Sequence, residues 1–214
     1  MNREFALLLW NSREYFSRGK RGFVYLSEHA GEKYLIKVKN PDSTASNTIY
    51  HEYHNNLELN KIGVGPVVFF YDADLDFVVR DFVDGLDFFS WVKFVEDKNK
   101  IKVFLLDLLD QCHRMDIMRI NKLEMNHPHK DLLVLNDLPV IIDFERCKKT
   151  RKPKNVTQLC QFLISGNLNV ALSKFNYIIN TNLILSLAEK YKHAILDGNG
   201  EEFFLKIKKE LARF

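Results

Sequence analysis

The sequence lacks the features of a disulfide scaffold and of a structural zinc site. Its three cysteines, Cys112, Cys147 and Cys160, form no Cys-x-x-Cys pair, and their odd number argues against a disulfide framework. No cysteine and histidine spacing typical of a zinc site is present. We therefore expect the cysteines to be packing thiols and the protein to occupy a reducing, cytoplasmic location.

Long apolar runs and an excess of one charge are also missing. The apolar stretch at residues 5–10 is far shorter than the roughly 20 residues that span a bilayer. We expect it to form an N-terminal helix docked on the domain, with no membrane contact. The 31 basic and 28 acidic residues give a net charge of only +3, so there is no global argument for binding a polyanion.

The first 83 residues are predicted to form a small antiparallel sheet with one helix. Two short β-prone runs, residues 23–26 and 34–38, are separated by a plausible hairpin turn that contains Gly31. A polar stretch that carries Ile49, Tyr53 and Leu57 at four-residue intervals predicts an amphipathic helix. Two more apolar runs, residues 67–71 and 77–82, complete the predicted sheet.

The rest of the chain is predicted to be mainly helical. Its strand candidates are residues 132–134 and 140–142, which flank a turn at Asn136 and Asp137. Residues 101–115 are apolar on more than one face, as in a helix buried at the centre of a lobe. Two amphipathic helices are predicted near the end of the chain, at residues 182–196 and 201–211.

Three features match what phosphoryl transfer from a nucleotide requires: a backbone cradle, a cation on the phosphates, and carboxylates for magnesium. Gly19 and Gly22 precede a predicted strand. Because glycine has no side chain, these residues either let the backbone approach phosphate oxygens or form a simple turn before the strand. Lys37 lies in an apolar strand, where it either faces solvent or requires an anionic partner. Glu52 on the following helix is the candidate partner, and Glu58 is the alternative.

The strongest single feature is the apolar strand at residues 140–142, which delivers the carboxylate of Asp143 at its end. A carboxylate in this position is suited to hold a metal ion, although an ordinary strand-to-loop transition with a solvated aspartate would look the same. Glu124 and Asp131 precede the same hairpin. Three acids are therefore candidates for gathering around a nucleotide.

Taken in order, these features resemble the protein-kinase signature of Gly loop, strand lysine, helix glutamate, catalytic loop and Asp-Phe-Gly. More narrowly, the sequence is similar to compact archaeal kinases related to the RIO and KEOPS-complex kinases, over roughly residues 15–165. The resemblance implies an α+β, bilobal protein kinase-like fold. A small antiparallel sheet would form the N-lobe at residues 1–83, and a reduced helical C-lobe would follow at residues 84–214, with ATP and Mg²⁺ in the cleft between the lobes.

The resemblance also implies roles for individual residues. Lys37 would bind the nucleotide phosphates, with Glu52 as its helix partner, while Asp143 and Asp131 would hold magnesium. Residues 79–85 look like the interlobe hinge, whose backbone would bind adenine. The residues implied in nucleotide binding are Gly19, Gly22, Val24, Lys37, Glu52, Asp81 and Val83.

The catalytic loop departs from the ordinary pattern, in which an Asp is followed after four residues by an Asn. Glu124 matches the catalytic acid, Asp131 takes the Asn position after six intervening residues, and Glu145 replaces the glycine of Asp-Phe-Gly. This resembles a divergent archaeal subgroup that combines a loop glutamate with Asp-Phe-Glu. The sequence His-Arg-Met-Asp at residues 113–116 superficially matches His-Arg-Asp, but it lies too far before Asp143 and within a buried helical pattern.

We therefore expect an ATP- and magnesium-dependent phosphotransferase, an atypical serine/threonine protein kinase with Glu124, Lys37 and Asp143 as catalytic residues and a protein acceptor. The alternatives are a nucleotide-binding pseudokinase scaffold and a small-molecule kinase of the same fold. Residues 146–154 contain six basic residues, which form either a solvated loop or a site for an anionic acceptor. An RNA contact through this segment is a further alternative.

Overall fold

The computed structural model describes residues 1–214, which form two compact units. The first unit contains residues Met1–Asp84 together with the separate segment Ile142–Cys147. The second unit contains Gly85–Ile141 and Lys148–Phe214. None of the helices combines the length and the apolar character that crossing a lipid bilayer requires.

The first unit is a five-stranded antiparallel sheet with one helix on each face. The helices and strands are α1 (Arg3–Asn11), β1 (Glu14–Arg18), β2 (Gly22–His29), β3 (Glu32–Lys39), α2 (Thr48–Asn60), β4 (Val68–Asp72) and β5 (Phe77–Asp81). The strand order in the sheet is β1-β2-β3-β5-β4.

Side-chain alternation along β5 explains why both faces of the sheet are covered. Phe77 and Val79 pack with Ala6 and Leu9 of α1, as expected for a docked N-terminal helix. Val78, which points to the opposite face, packs with Ile49 of α2. Successive side chains of a strand point to opposite faces, so an unbroken apolar strand requires cover on both sides.

The expected hairpin between β2 and β3 is confirmed, with Gly31 at φ +83° in its turn. The predicted helix is present as α2, but the prediction that Leu57 lies on its apolar face is wrong, because this side chain is exposed. The buried face instead includes Ile49, Glu52 and Asn56, which follow the helical three- and four-residue spacing. Because two of these three residues are polar, the pattern of apolar residues alone does not identify the buried face.

The second unit is mainly helical and contains two small sheets. The helices and strands are β6 (Leu86–Asp87), α3 (Phe88–Phe94), α4 (Lys98–Ile117), β7 (Ile120–Asn121), β8 (Leu132–Leu135), β9 (Leu138–Ile141), β10 (Lys148–Lys149), α5 (Asn155–Leu163), α6 (Gly166–Ala171), α7 (Thr181–Ala194) and α8 (Glu201–Leu211). The expected hairpin is confirmed and consists of β8 and β9, with β6 as a third strand, while β7 and β10 form a separate two-stranded ribbon.

Asp116, at the end of the buried helix α4, is a hydrogen-bond hub of the second unit. Its carboxylate accepts hydrogen bonds from the backbone N–H (3.0 Å) and the side-chain amide (2.7 Å) of Asn155, and from the N–H of Val156 (3.1 Å). The hydroxyl of Tyr191 donates a fourth, at 3.1 Å. The His-Arg-Met-Asp sequence therefore lies within a buried helix, as expected, where its aspartate joins α4 to α5 and α7.

Candidate functional site

Lys37 lies at the centre of the β-sheet of the first unit, on the face that α2 covers. In the sheet it stands opposite Val24 of β2 and Val78 of β5. Its Nζ atom forms an ion pair of 2.5 Å with Oε2 of Glu52, and both side chains are largely buried. The expected pair is present, whereas Glu58 pairs with Lys61 instead.

Two further carboxylates approach Lys37 from the segment that follows β9. The Nζ atom lies 3.4 Å from Oδ1 of Asp143 and 3.4 Å from Oε2 of Glu145. Arg21 of the Gly loop binds the other oxygen of Glu145 at 2.6 Å. Glu145, expected only as a replacement for glycine, thus joins the Gly loop to the lysine. No local pattern indicates this role of Arg21, because its partner is more than 100 positions away.

The carboxylates determine the protonation of Lys37. Burial by itself lowers the pKa of this amine, but the negative charges of Glu52, Asp143 and Glu145 outweigh burial and raise the pKa above its usual value. Lys37 is therefore a fixed positive charge at neutral pH. A cation held in this way is suited to receive phosphate oxygens.

The same carboxylates form a donor set for a metal ion. Glu52, Asp143 and Glu145 each offer one oxygen atom, and these atoms lie within 4.8 Å of one another. Carboxylate oxygens are the ligands that Mg²⁺ prefers in proteins. Asp143 is the most exposed of the three, with 41% of its side chain accessible, against 6% for Glu145. The residues present therefore fit magnesium, with Asp143 as the accessible ligand.

Arg80 is a second buried cation on the same face of the sheet. It stands opposite Leu35 in the pairing of β3 with β5, two residues along from Val78, which pairs with Lys37. Burial lowers the pKa of Arg80, and the charges of Glu52 and Asp143 partly offset this effect. The side chain is 7% accessible. The kinase signature, which has a single lysine in the sheet, does not point to Arg80 as a second cation.

Gly22 has a structural role that the sequence did not predict. A Cβ atom at this position would lie 2.8 Å from the carbonyl oxygen of Val38 and 3.0 Å from Cε of Lys37. The missing side chain therefore makes room for Lys37 to lie across β2. The N–H of Gly19 donates to the carbonyl of Gly22 at 2.8 Å, which closes the loop between β1 and β2.

Helix α2 and the loop after it hold the Asp-Phe-Glu segment in place. The side-chain amide of Asn55 donates to the carbonyl of Phe144 at 2.8 Å and to that of Cys147 at 3.3 Å. The buried ring of Phe144 packs directly on Gly65, where a Cβ atom would lie 2.4 Å from the ring. These contacts determine where Asp143 and its neighbour Glu145 are placed.

We expect Gly65→Ala to destabilise the protein more than Gly63→Ala. Both glycines have positive φ, +79° and +66°, but nothing lies within 4 Å of a Cβ at Gly63. The left-handed backbone alone costs an alanine about 1–2 kcal/mol. Overpacking against Phe144 should add about 1–3 kcal/mol. Urea unfolding of the two variants measures the difference, and equal losses would contradict the proposed packing of Phe144.

Of the two predicted hinge residues, Asp81 is the last residue of β5 and Val83 lies just after the strand. The N–H of Asp81 donates to the carbonyl of Val67 at 2.9 Å, so this donor is already used within the sheet. Val83 is buried. Next to them, Phe82 makes an edge-to-face contact with Phe16, with ring centroids 5.6 Å apart. Phe16 lies at an irregularity in the pairing of β1, where one extra residue re-aims the strand.

Glu124 and Asp131 belong to the second unit. Glu124 is exposed, and it and Leu123 both have left-handed backbones, with φ +62° and +66°. Two successive non-glycine residues with left-handed backbones store conformational strain, and such strain clusters at functional sites. Asp131 forms an ion pair of 2.7 Å with the buried amine of Lys122. No local pattern indicates this partner, because Lys122 stands between Asn121 and Leu123 in a stretch of mixed polarity.

No protein-family profile matches this sequence, and no curated protein matches it significantly. Among solved structures, the chain is similar to a Rio2 kinase from Chaetomium thermophilum, described as a Rio2 kinase-ADP/Mg²⁺-phosphoaspartate complex. The match has a TM-score of 0.54 and 14% sequence identity, and it covers 89% of this chain and 74% of the other. The α+β, protein kinase-like fold expected from the sequence is therefore confirmed, as a fold similar to that of this Rio2 kinase.

Proposed function

We propose that this protein is an ATP- and magnesium-dependent phosphotransferase that binds the nucleotide phosphates at Lys37. One observation carries the proposal: a buried, charged lysine surrounded by Glu52, Asp143 and Glu145 in a Rio2 kinase-like fold. Phosphoryl transfer mainly requires positioning and charge compensation. This cluster supplies both signs of charge at one place.

In the proposed mechanism, Lys37 exchanges partners when the nucleotide binds. Its contacts with Asp143 and Glu145 are longer, at 3.4 Å, than the 2.5 Å pair with Glu52. Phosphate oxygens therefore replace the two longer contacts, and Glu52 continues to orient the amine. Asp143, with Glu145, would hold Mg²⁺, which neutralises phosphate charge when bound.

The acceptor side of the reaction is assigned to the second unit. Glu124 would orient or deprotonate an acceptor hydroxyl, and Asp131 would be a further metal ligand. We propose a serine or threonine of a protein as the acceptor, in keeping with the resemblance to divergent archaeal kinases. Lys122 and Asp131 form an ion pair. Lys122 would therefore have to leave Asp131 when the metal ion binds.

A nucleotide-binding scaffold that transfers nothing is the second candidate. The observation that favours it is the pair of contacts that Glu145 makes with Arg21 and Lys37. The carboxylate that stands in place of glycine thus forms an ion pair with the lysine that the phosphates would require. Both candidates bind ATP, but only the first transfers its γ-phosphoryl group to an acceptor.

A thermal-shift titration with ATP and magnesium tests nucleotide binding. A ligand present at 100 times its dissociation constant stabilises the folded state by about 2.7 kcal/mol. We expect wild type to be stabilised, and Asp143→Asn to lose the magnesium-dependent part of this effect. Asp74→Asn, which changes an exposed acid outside the cluster, is the matched control. Absence of any stabilisation of wild type at millimolar ATP would contradict the proposal.

The cysteines support the proposed cytoplasmic location. All three are buried, and burial raises the pKa of the Cys160 thiol to about 12. Such a thiol stays protonated and unreactive, as expected for a packing residue.

A further inference from the structure

A basic cavity lies in the second unit, where the ribbon of β7 and β10 is followed by the loop to α5. Its volume is about 660 Å³. Four of its six lining residues are basic and none is acidic. The lining residues are Arg119, Lys149, Thr150, Arg151, Lys152 and Leu196.

The stretch of chain that supplies four of the lining residues carries only one sign of charge. No acidic residue occurs between Glu145 and Glu189, a stretch that contains seven lysines and arginines. The rest of the chain has 24 basic and 28 acidic residues, so the positive charge of the protein is concentrated in this stretch. Arg151 and Lys152 are exposed and form no ion pair. Like charges held together in this way favour an anionic ligand.

Arg119 is fixed in an orientation before any ligand binds. Its guanidinium donates to the carbonyl of Leu196 at 3.0 Å and more weakly to that of Arg151 at 3.4 Å. Neither partner is charged, so the charge of Arg119 remains available. The planar fork of arginine matches phosphate oxygens, and a side chain that is already ordered loses less entropy on binding.

The strand beside the cavity has an open edge. β10 pairs with β7 on one side and has no sheet neighbour on the other. The N–H of Thr150 donates to the carbonyl of Arg119 at 2.8 Å and extends this pairing to the cavity. An extended peptide can add to such an edge through its backbone, whereas a nucleic acid has no matching ladder of donors and acceptors.

We propose that this cavity binds a phosphorylated serine or threonine in an extended segment of a partner protein. The phosphate contacts Arg119, Arg151 and Lys152, and the backbone of the segment pairs with β10. A cavity suits a single phosphate group better than the extended basic stripe that tracks a nucleic-acid backbone. This site shares no residue with the Lys37 cluster, and its proposed binding requires neither ATP nor phosphoryl transfer.

Fluorescence anisotropy of the full chain tests the site with two pools of short labelled peptides. The pools are identical except for a phosphorylated or unphosphorylated central threonine. We expect the phosphorylated pool to bind at least about tenfold more tightly, because charge-assisted bonds to phosphate are strong. We also expect Asp143→Asn to keep this binding, so that failure of the proposed nucleotide site would leave the result unchanged.

Matched charge reversals then locate the site. Lys152→Glu should weaken binding of the phosphorylated pool at least about tenfold, while Lys209→Glu, also exposed and without an ion pair, should leave it unchanged. Arg119→Lys should weaken it as well, because lysine keeps the charge but loses the fork. Equal binding of the two pools, or equal effects of the two reversals, would overturn the proposal. So would tighter binding of oligouridylate RNA that is lost in Lys152→Glu.

Discussion

Replacing Lys37 with methionine is expected to abolish phosphoryl transfer from ATP and to destabilise the fold at the same time. The substitution removes the amine but keeps a side chain of similar length. It leaves the buried carboxylate of Glu52 without its partner at 2.5 Å. Removing one member of a buried ion pair typically costs about 3–5 kcal/mol. Transfer of labelled γ-phosphate and urea unfolding measure the two effects.

A double variant separates catalysis from stability. Lys37→Met combined with Glu52→Leu removes both charges, so we expect most of the lost stability to return, because an apolar pair often replaces a buried ion pair without loss. Phosphoryl transfer should remain absent, since nothing then holds the phosphates. Lys33→Met, an exposed lysine of the same strand, is the control. Transfer by the double variant at the wild-type rate would remove Lys37 from the mechanism.

Replacing Asp116 with alanine is expected to cause the largest loss of stability in the second unit. Four hydrogen bonds from Asn155, Val156 and Tyr191 end on this carboxylate, which is fully buried. Each donor left without an acceptor costs about 1–3 kcal/mol. We therefore expect a loss of at least about 4 kcal/mol, or failure to fold. Helix content and urea unfolding are the measurements.

The same residue should make stability depend on pH. Burial raises the pKa of Asp116 to about 6, against 3.8 for an ordinary aspartate. Between these values the folded state binds a proton that the unfolded state has released, so this contribution to stability is full below pH 4 and is lost as the pH rises to 6. Its size is about 3 kcal/mol, because each pKa unit corresponds to about 1.4 kcal/mol.

Asp116→Asn isolates that contribution. Asparagine does not titrate, so the variant should lack the decline between pH 4 and pH 6, although it should be less stable than wild type throughout. The difference between the unfolding free energies of wild type and variant cancels the titration of the other acids. A difference that stays constant over this range would show that Asp116 does not titrate as proposed.

Local sequence patterns could predict the parts of the fold and site that depend on one element at a time. Lys37 in an apolar strand and Asp143 at a strand end were visible because each departs from the apolar pattern around it. The hairpin at Gly31 was predictable because a turn places special demands on the backbone. In each case the physical signal is contained within a few neighbouring residues.

The contacts that complete the site could not be predicted in the same way. Arg21 and Glu145 meet because the Gly loop and the Asp-Phe-Glu segment fold together, and nothing in either segment specifies the other. Asn55 was hidden on a helix whose buried face is partly polar. The two-residue strands β6, β7 and β10 are too short to show the alternation that identifies a strand.

The path of the chain has a consequence for synthesis on the ribosome. The first unit needs residues 142–147, which carry Phe144 and two of the carboxylates around Lys37, yet residues 85–141 of the second unit are made before them. Domains usually fold from the N-terminus as they emerge, at about 5–20 residues per second. Here the sheet of the first unit emerges several seconds before residues 142–147, which are the last segment of that unit. During that interval Lys37 has Glu52 as its only acidic partner from the cluster, so the nascent first unit cannot yet assemble the complete charge cluster.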